Sequence, residues 1–182
     1  MNYLNTILIL AAAFLAVFWE AAFSGFRHLM GAQVDLLPAL MIYAGLCGQL
    51  GTVCLLAMCG GLWFDSLSAN PLGISVLPLF VIGFGVHANR ELILRDQVFA
   101  QVILGMTASA LVPVLTLGLL LTGGHSPMLG WGTLWQLVVM SVGGALATPI
   151  CFVCFDWLQR ALVHARVKET SFRPDREIRR GR

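Results

Sequence analysis

The chain has 182 residues, of which 58% are hydrophobic and only 11% charged, with a mean hydropathy of +0.85 and a formal net charge of +2. Soluble chains carry roughly 25% charged residues, so this composition excludes an ordinary water-soluble domain and points to an integral membrane protein. Apolar runs recur along the whole length and predict an all-α membrane fold: a compact bundle of about six transmembrane helices over residues 1–160, followed by a basic cytoplasmic tail at residues 161–182.

The first run covers residues 4–23, long enough to cross a core of about 30 Å at roughly 1.5 Å per residue. It opens without Lys or Arg and closes on Ala21-Ala22-Phe23, a poor match to a cleavage site, so a retained helix is expected rather than a signal peptide. Glu20 stands beside Trp19 near its end. The ordinary reading is a carboxylate at headgroup level next to an interfacial tryptophan; the sharper one is a polar partner inside the bundle. A polar link with Arg27, His28, Gln33 and Asp35 leads to a short second run, residues 36–47, with Pro38 in its first turn, where proline costs little. After a turn at Gly48-Gln49-Leu50-Gly51 comes the third run, residues 52–64. Both are expected to span, with a re-entrant hairpin as the alternative because they are short.

The third run stops in the stretch Gly60-Gly61-Leu62-Trp63-Phe64-Asp65-Ser66-Leu67-Ser68-Ala69-Asn70-Pro71-Leu72-Gly73. Gly60 and Gly61 let another helix approach closely. Asn70 is a candidate N-cap and Pro71 suits the first helical position, ahead of a fourth run at residues 72–88. Asp65 is the informative residue, since a carboxylate at the edge of hydrocarbon must be hydrated, hydrogen-bonded or paired. A short Asp can fold back on the amides of Ser66 to Ser68 as an Asx-type turn, or it can pair with Arg27.

The fourth run contains Pro78, Gly83 and Gly85, which predict a kink or close packing, and ends in a charged link with Arg90 and Arg95. The fifth, residues 98–121, is interrupted by Pro113, and Gly123-Gly124-His125-Ser126-Pro127 forms a turn-rich link. The sixth runs from about 131 to 158, with Gly143, Gly144, Ala147 and Thr148 as a small-residue stripe and Pro149 as a bend. Of the 11 Lys and Arg, eight lie at or beyond Arg160, two are Arg90 and Arg95, and the last is Arg27. With six spans the positive-inside rule places both termini in the cytoplasm and leaves Asp65 outside, at the same boundary as Glu20 and Asp35.

The motifs of common chemistries are missing from the sequence: there is no HExxH, no GxSxG, no phosphate-cradling glycine loop and no paired intramembrane carboxylates on one helix face. Cys151 and Cys154 have CxxC spacing but lie in an apolar run without a second pair, so they and Cys47, Cys54 and Cys59 are expected to pack as small apolar residues. No enzyme activity, cofactor or metal site is expected. The basic tail reads as a lipid-surface segment, and nucleic-acid binding has no support.

Asp35-Leu36-Leu37 opening the second helix, Gly61-Leu62-Trp63-Phe64-Asp65-Ser66-Leu67-Ser68 closing the third and Pro71-Leu72-Gly73 opening the fourth together resemble the rod shape-determining MreD family. The resemblance extends over nearly the whole chain, including the charged link after the fourth run and Ala147-Thr148-Pro149 in the last helix; Val34 departs from the proline common before the aspartate. It implies a non-enzymatic scaffold in the bacterial inner membrane, part of the peptidoglycan elongation machinery. The implied partners are MreC and, through it, the actin-like MreB and the RodA glycosyltransferase with its transpeptidase. Asp35, Gly61, Asp65, Ser68, Asn70, Pro71 and Gly73 are the family-motif and interaction candidates. A second class is the solute-binding membrane subunit of an energy-coupling-factor vitamin transporter, which the family resembles in fold. Ala12 and Ala16 would supply its small-residue face, and its ligand pocket would need convergent polar groups such as Gln49, Asn70 and His87.

Overall fold

The computed structural model describes residues 2–22, 35–68, 71–93, 97–124 and 130–169. Among them are six helices and no strand: α1 Asn2–Ala22, α2 Leu37–Cys47, α3 Leu50–Leu67, α4 Val76–Ala88, α5 Val98–Thr122 and α6 Trp131–Glu169. The all-helical class follows from the apolar runs as expected. Four of the six, α1, α3, α5 and α6, are long and apolar enough to cross a membrane. α2 and α4 have 11 and 13 residues, about 17 and 20 Å at 1.5 Å per residue, short of a 30 Å hydrocarbon core.

The chain divides into two compact units, residues 1–151 and 152–182. The second carries the C-terminal half of α6, which continues to Glu169, past the tail boundary expected at Arg160. The first holds α1 to α5 and the N-terminal half of α6.

Within the first unit α2 is the centre. It packs on α1, α3, α4 and α5, and every residue from Leu37 to Leu46 is buried. A helix that is apolar on all faces belongs in an interior, and α2 is enclosed by its neighbours. α1 turns one stripe inward, Ile9, Ala13 and Val17 at four-residue spacing, and leaves Phe14, Leu15, Phe18 and Trp19 exposed. Ala12 and Ala16 are half-buried beside that stripe. Phe14 meets Trp63 of α3 edge-on at 5.3 Å.

Successive helices reverse direction. Thr6 near the start of α1 and Thr52 near the start of α3 share a hydroxyl hydrogen bond of 2.8 Å, whereas Glu20 near the end of α1 accepts from the amide of Leu36 just before α2. The fourteen residues from Thr6 to Glu20 rise about 21 Å, so the segment through α2 returns across that distance. At the far end the Gly45 carbonyl of α2 lies 3.1 Å from His87 Nδ1 of α4. α5 and α6 approach through small residues: a Cβ on Gly144 would strike Ser109, and one on Gly105 would strike Thr148. Gly144 and Thr148 of the expected small-residue stripe therefore face α5, and Thr148 is fully buried.

Candidate functional site

One end of the first unit gathers the carboxylates that lie far apart in sequence. Glu20 at the end of α1, Asp35 before α2 and Asp65 at the end of α3 all meet the beginning of a returning helix. Asp65 sits in the last turn of α3 and is only 1% exposed. An anion there opposes the macrodipole of its own helix. Its carboxylate crosses to the start of α4, where Oδ2 accepts from the amides of Gly73 at 2.8 Å and Ser75 at 3.1 Å, and Oδ1 accepts from the Ser75 hydroxyl at 2.6 Å. Amides at a helix start lack intrahelical acceptors and favour negative charge. Asp65 thus acts as a long-range cap for α4.

This geometry corrects the expected Asx-type turn. The Asp65 side chain reaches Gly73 and Ser75, not the amides of Ser66 to Ser68; it is the backbone carbonyl of Asp65 that takes the Ser68 amide at 3.2 Å and the Ser68 hydroxyl at 3.3 Å. It also corrects Pro71 as the first helical residue. α4 begins at Val76, and residues 71–75 form turns in which Ile74 donates to the Pro71 carbonyl and Val76 to that of Gly73. Gly73 has φ of +90°, a backbone that side-chain-bearing residues rarely adopt and that cannot continue a helix. Asn70 and Arg27 lie outside the described residues.

Gly61 belongs to the same unit, one turn before Asp65. A Cβ added to it would lie 2.9 Å from the backbone of Val76, so only glycine lets α3 come this near the start of α4. Gly60 instead faces the Leu37 side chain at 3.1 Å. Of the seven candidates, the structure joins Gly61, Asp65 and Gly73 directly, puts Ser68 on the Asp65 carbonyl, keeps Pro71 in the turn and places Asp35 at the start of α2. Ser75 is the participant that the motif overlooks. It carries a signal of its own, a serine immediately before a helix, but Asn70-Pro71 gives a louder one.

The start of α2 carries two carboxylates. Asp35, 6% exposed, accepts the Leu37 amide on Oδ1 at 2.9 Å, and Glu20 accepts the Leu36 amide on Oε1 at 2.7 Å. The sharper reading of Glu20, a polar partner inside the bundle, is the one the geometry bears out. Its Oε2 is buried without a hydrogen-bond partner among the described residues. Burial pushes the Asp35 carboxyl up to about 6, while the Leu37 amide pulls it the other way. No group of three or more His, Cys, Asp or Glu among the described residues is placed to hold a metal ion. Gln49 and His87 sit away from this end, so the polar pocket they would form with Asn70 is not assembled from described residues. Comparison with protein-family models, with curated proteins and with solved structures gave no match.

Proposed function

We propose that this chain is an MreD-like, non-enzymatic scaffold of the bacterial inner membrane that works with MreC in peptidoglycan elongation, crossing the membrane six times with both termini in the cytoplasm. The observation that carries the reading is that the residues of the resemblance converge: Gly61, Asp65 and Gly73 form one interlocked unit through the start of α4. A motif held this tightly gives a small, loop-poor bundle one rigid end, which is what a partner needs to recognise in a protein with little soluble mass. The exposed apolar faces of α1 and α5 are available to lipid and to partner helices.

The test is depletion in a rod-shaped host together with affinity recovery of MreC from detergent. Loss of rod shape and co-recovery of MreC are expected. Normal cell shape combined with failed vitamin uptake would replace this reading with the transporter-subunit one.

A further inference from the structure

Between the starts of α2 and α4, the C-terminal half of α5 and the N-terminal part of α6 lies a cavity of about 250 Å³. A 150 Å³ apolar cavity holds benzene, so by proportion this one holds about ten non-hydrogen atoms. Most of its wall is apolar, with Leu79, Leu117, Leu137 and Met140 among the lining residues. The polar lining residues are Asp35, Ser75, Ser109, Thr116, Thr133 and Gln136, and Asp35 is the charged one among them. Asp35 lines it with a carboxylate that, among the described residues, accepts a hydrogen bond on Oδ1 alone, from the Leu37 amide. Ser109 lines it too, 2% exposed, and its Oγ has no hydrogen-bond partner among the described residues. Pro113, also in the wall, has no N–H to give the Ser109 carbonyl one turn earlier. Ser75 contributes little as a donor, because its hydroxyl and amide are both committed to Asp65.

An apolar chamber whose charged lining group is a carboxylate, beside the unpartnered Ser109 hydroxyl, suits a ligand with an apolar body and a cationic, donating head. We infer that this cavity is a binding site for a primary-ammonium amphiphile, its ammonium held by Asp35 and its stem packed along α5 and α6. The site is independent of the scaffold reading and needs no partner protein. An ammonium supplies three donors and a charge to match the carboxylate, whereas a carboxylate-headed amphiphile of the same length sets a second negative charge against Asp35.

The experiment uses the full chain in phosphatidylcholine nanodiscs and reads the melting temperature against rising octylamine, octanol and octanoate. Octylamine should give a saturable rise, octanol a smaller one and octanoate none. Asp35→Asn should erase the advantage of octylamine over octanol, and Leu117→Trp, which fills the chamber, should erase the response to all three. Equal responses to octylamine and octanoate, or an octylamine advantage undiminished in Asp35→Asn, would overturn the site. If Asp35→Asn does not fold, Leu117→Trp decides, since a response that survives a filled chamber comes from elsewhere. Repeating the titration in discs containing phosphatidylethanolamine separates the two sources of such a head group: a lost octylamine increment identifies the lipid, and a retained one a free amine.

Discussion

Three donors converge on the Asp65 carboxylate, and two of them are amides with no alternative acceptor in a helix. Removing the acceptor leaves buried donors unsatisfied, at about 1–3 kcal/mol each, so Asp65→Ala should cost roughly 3 kcal/mol or more. Asp65→Asn keeps one oxygen for the two amides, and its NH₂ can donate to the Ser75 hydroxyl, which accepts as readily as it donates; about 1 kcal/mol is expected. Detergent unfolding curves of the two variants check this, and coincident curves would mean the carboxylate does not hold the hairpin. Asp35 makes a different prediction, through pH. Its folded value lies near 6 against 3.8 for the ordinary group. Between about pH 4 and 6 the folded protein therefore keeps a proton that the unfolded chain has lost. The contribution of Asp35 to stability falls as pH rises through that window. Melting temperatures from pH 4 to 7 should decline for the wild type, and Asp35→Asn should remove that part of the slope.

The hairpin of α3 and α4 shows how two short elements become one. Glycine at 61 allows contact with the Val76 backbone, the positive φ of Gly73 turns the chain, and Asp65 ties the turn to the helix that follows. Gly61→Ala should force α3 from α4 or bend the start of α4, a strain of about 1–3 kcal/mol, whereas Gly85→Ala, which meets nothing within 4 Å, should be neutral or slightly stabilising. Paired melting curves separate the two. These elements also mark what was legible in the sequence. The existence of the six described helices was, because a continuous apolar run in lipid has few other solutions. The start of α4 was not: Asn70-Pro71 is a strong local signal, and it lost to a carboxylate eight to ten residues upstream whose reach no local pattern records. The end of α6 was not legible either. The apolar run fades near Leu158, yet Arg, Lys, Gln and Glu are good helix formers, so the helix continues to Glu169.

At the scale of the first unit, the alternation of helix directions brings the ends of α1 and α3 and the starts of α2 and α4 to one side, and that is why Glu20, Asp35 and Asp65 lie at the same end. The sequence could foresee this grouping because an even number of antiparallel helices between Asp35 and Asp65 returns the chain to the same end. What the run lengths could not reveal is that α2 is an inner helix, buried along its length; lipid-facing and protein-facing apolar residues look alike in composition. Which side the carboxylate end faces rests on the Lys/Arg distribution, with eight of 11 basic residues at or beyond Arg160 and two more in the α4–α5 link. The α3–α4 tip should then be outside and the α4–α5 link inside. Leu72 and Leu92 report on the two sides well, being 73% and 82% exposed at opposite ends of the α4 hairpin arm. With the five native cysteines replaced, Leu72→Cys should react with an impermeant thiol reagent in intact cells, and Leu92→Cys only after the membrane is opened. The reverse pattern would invert the bundle. Reaction of both from outside would show that α4, at 13 residues, does not cross, placing the Asp65 lock and the Arg90 link on one surface.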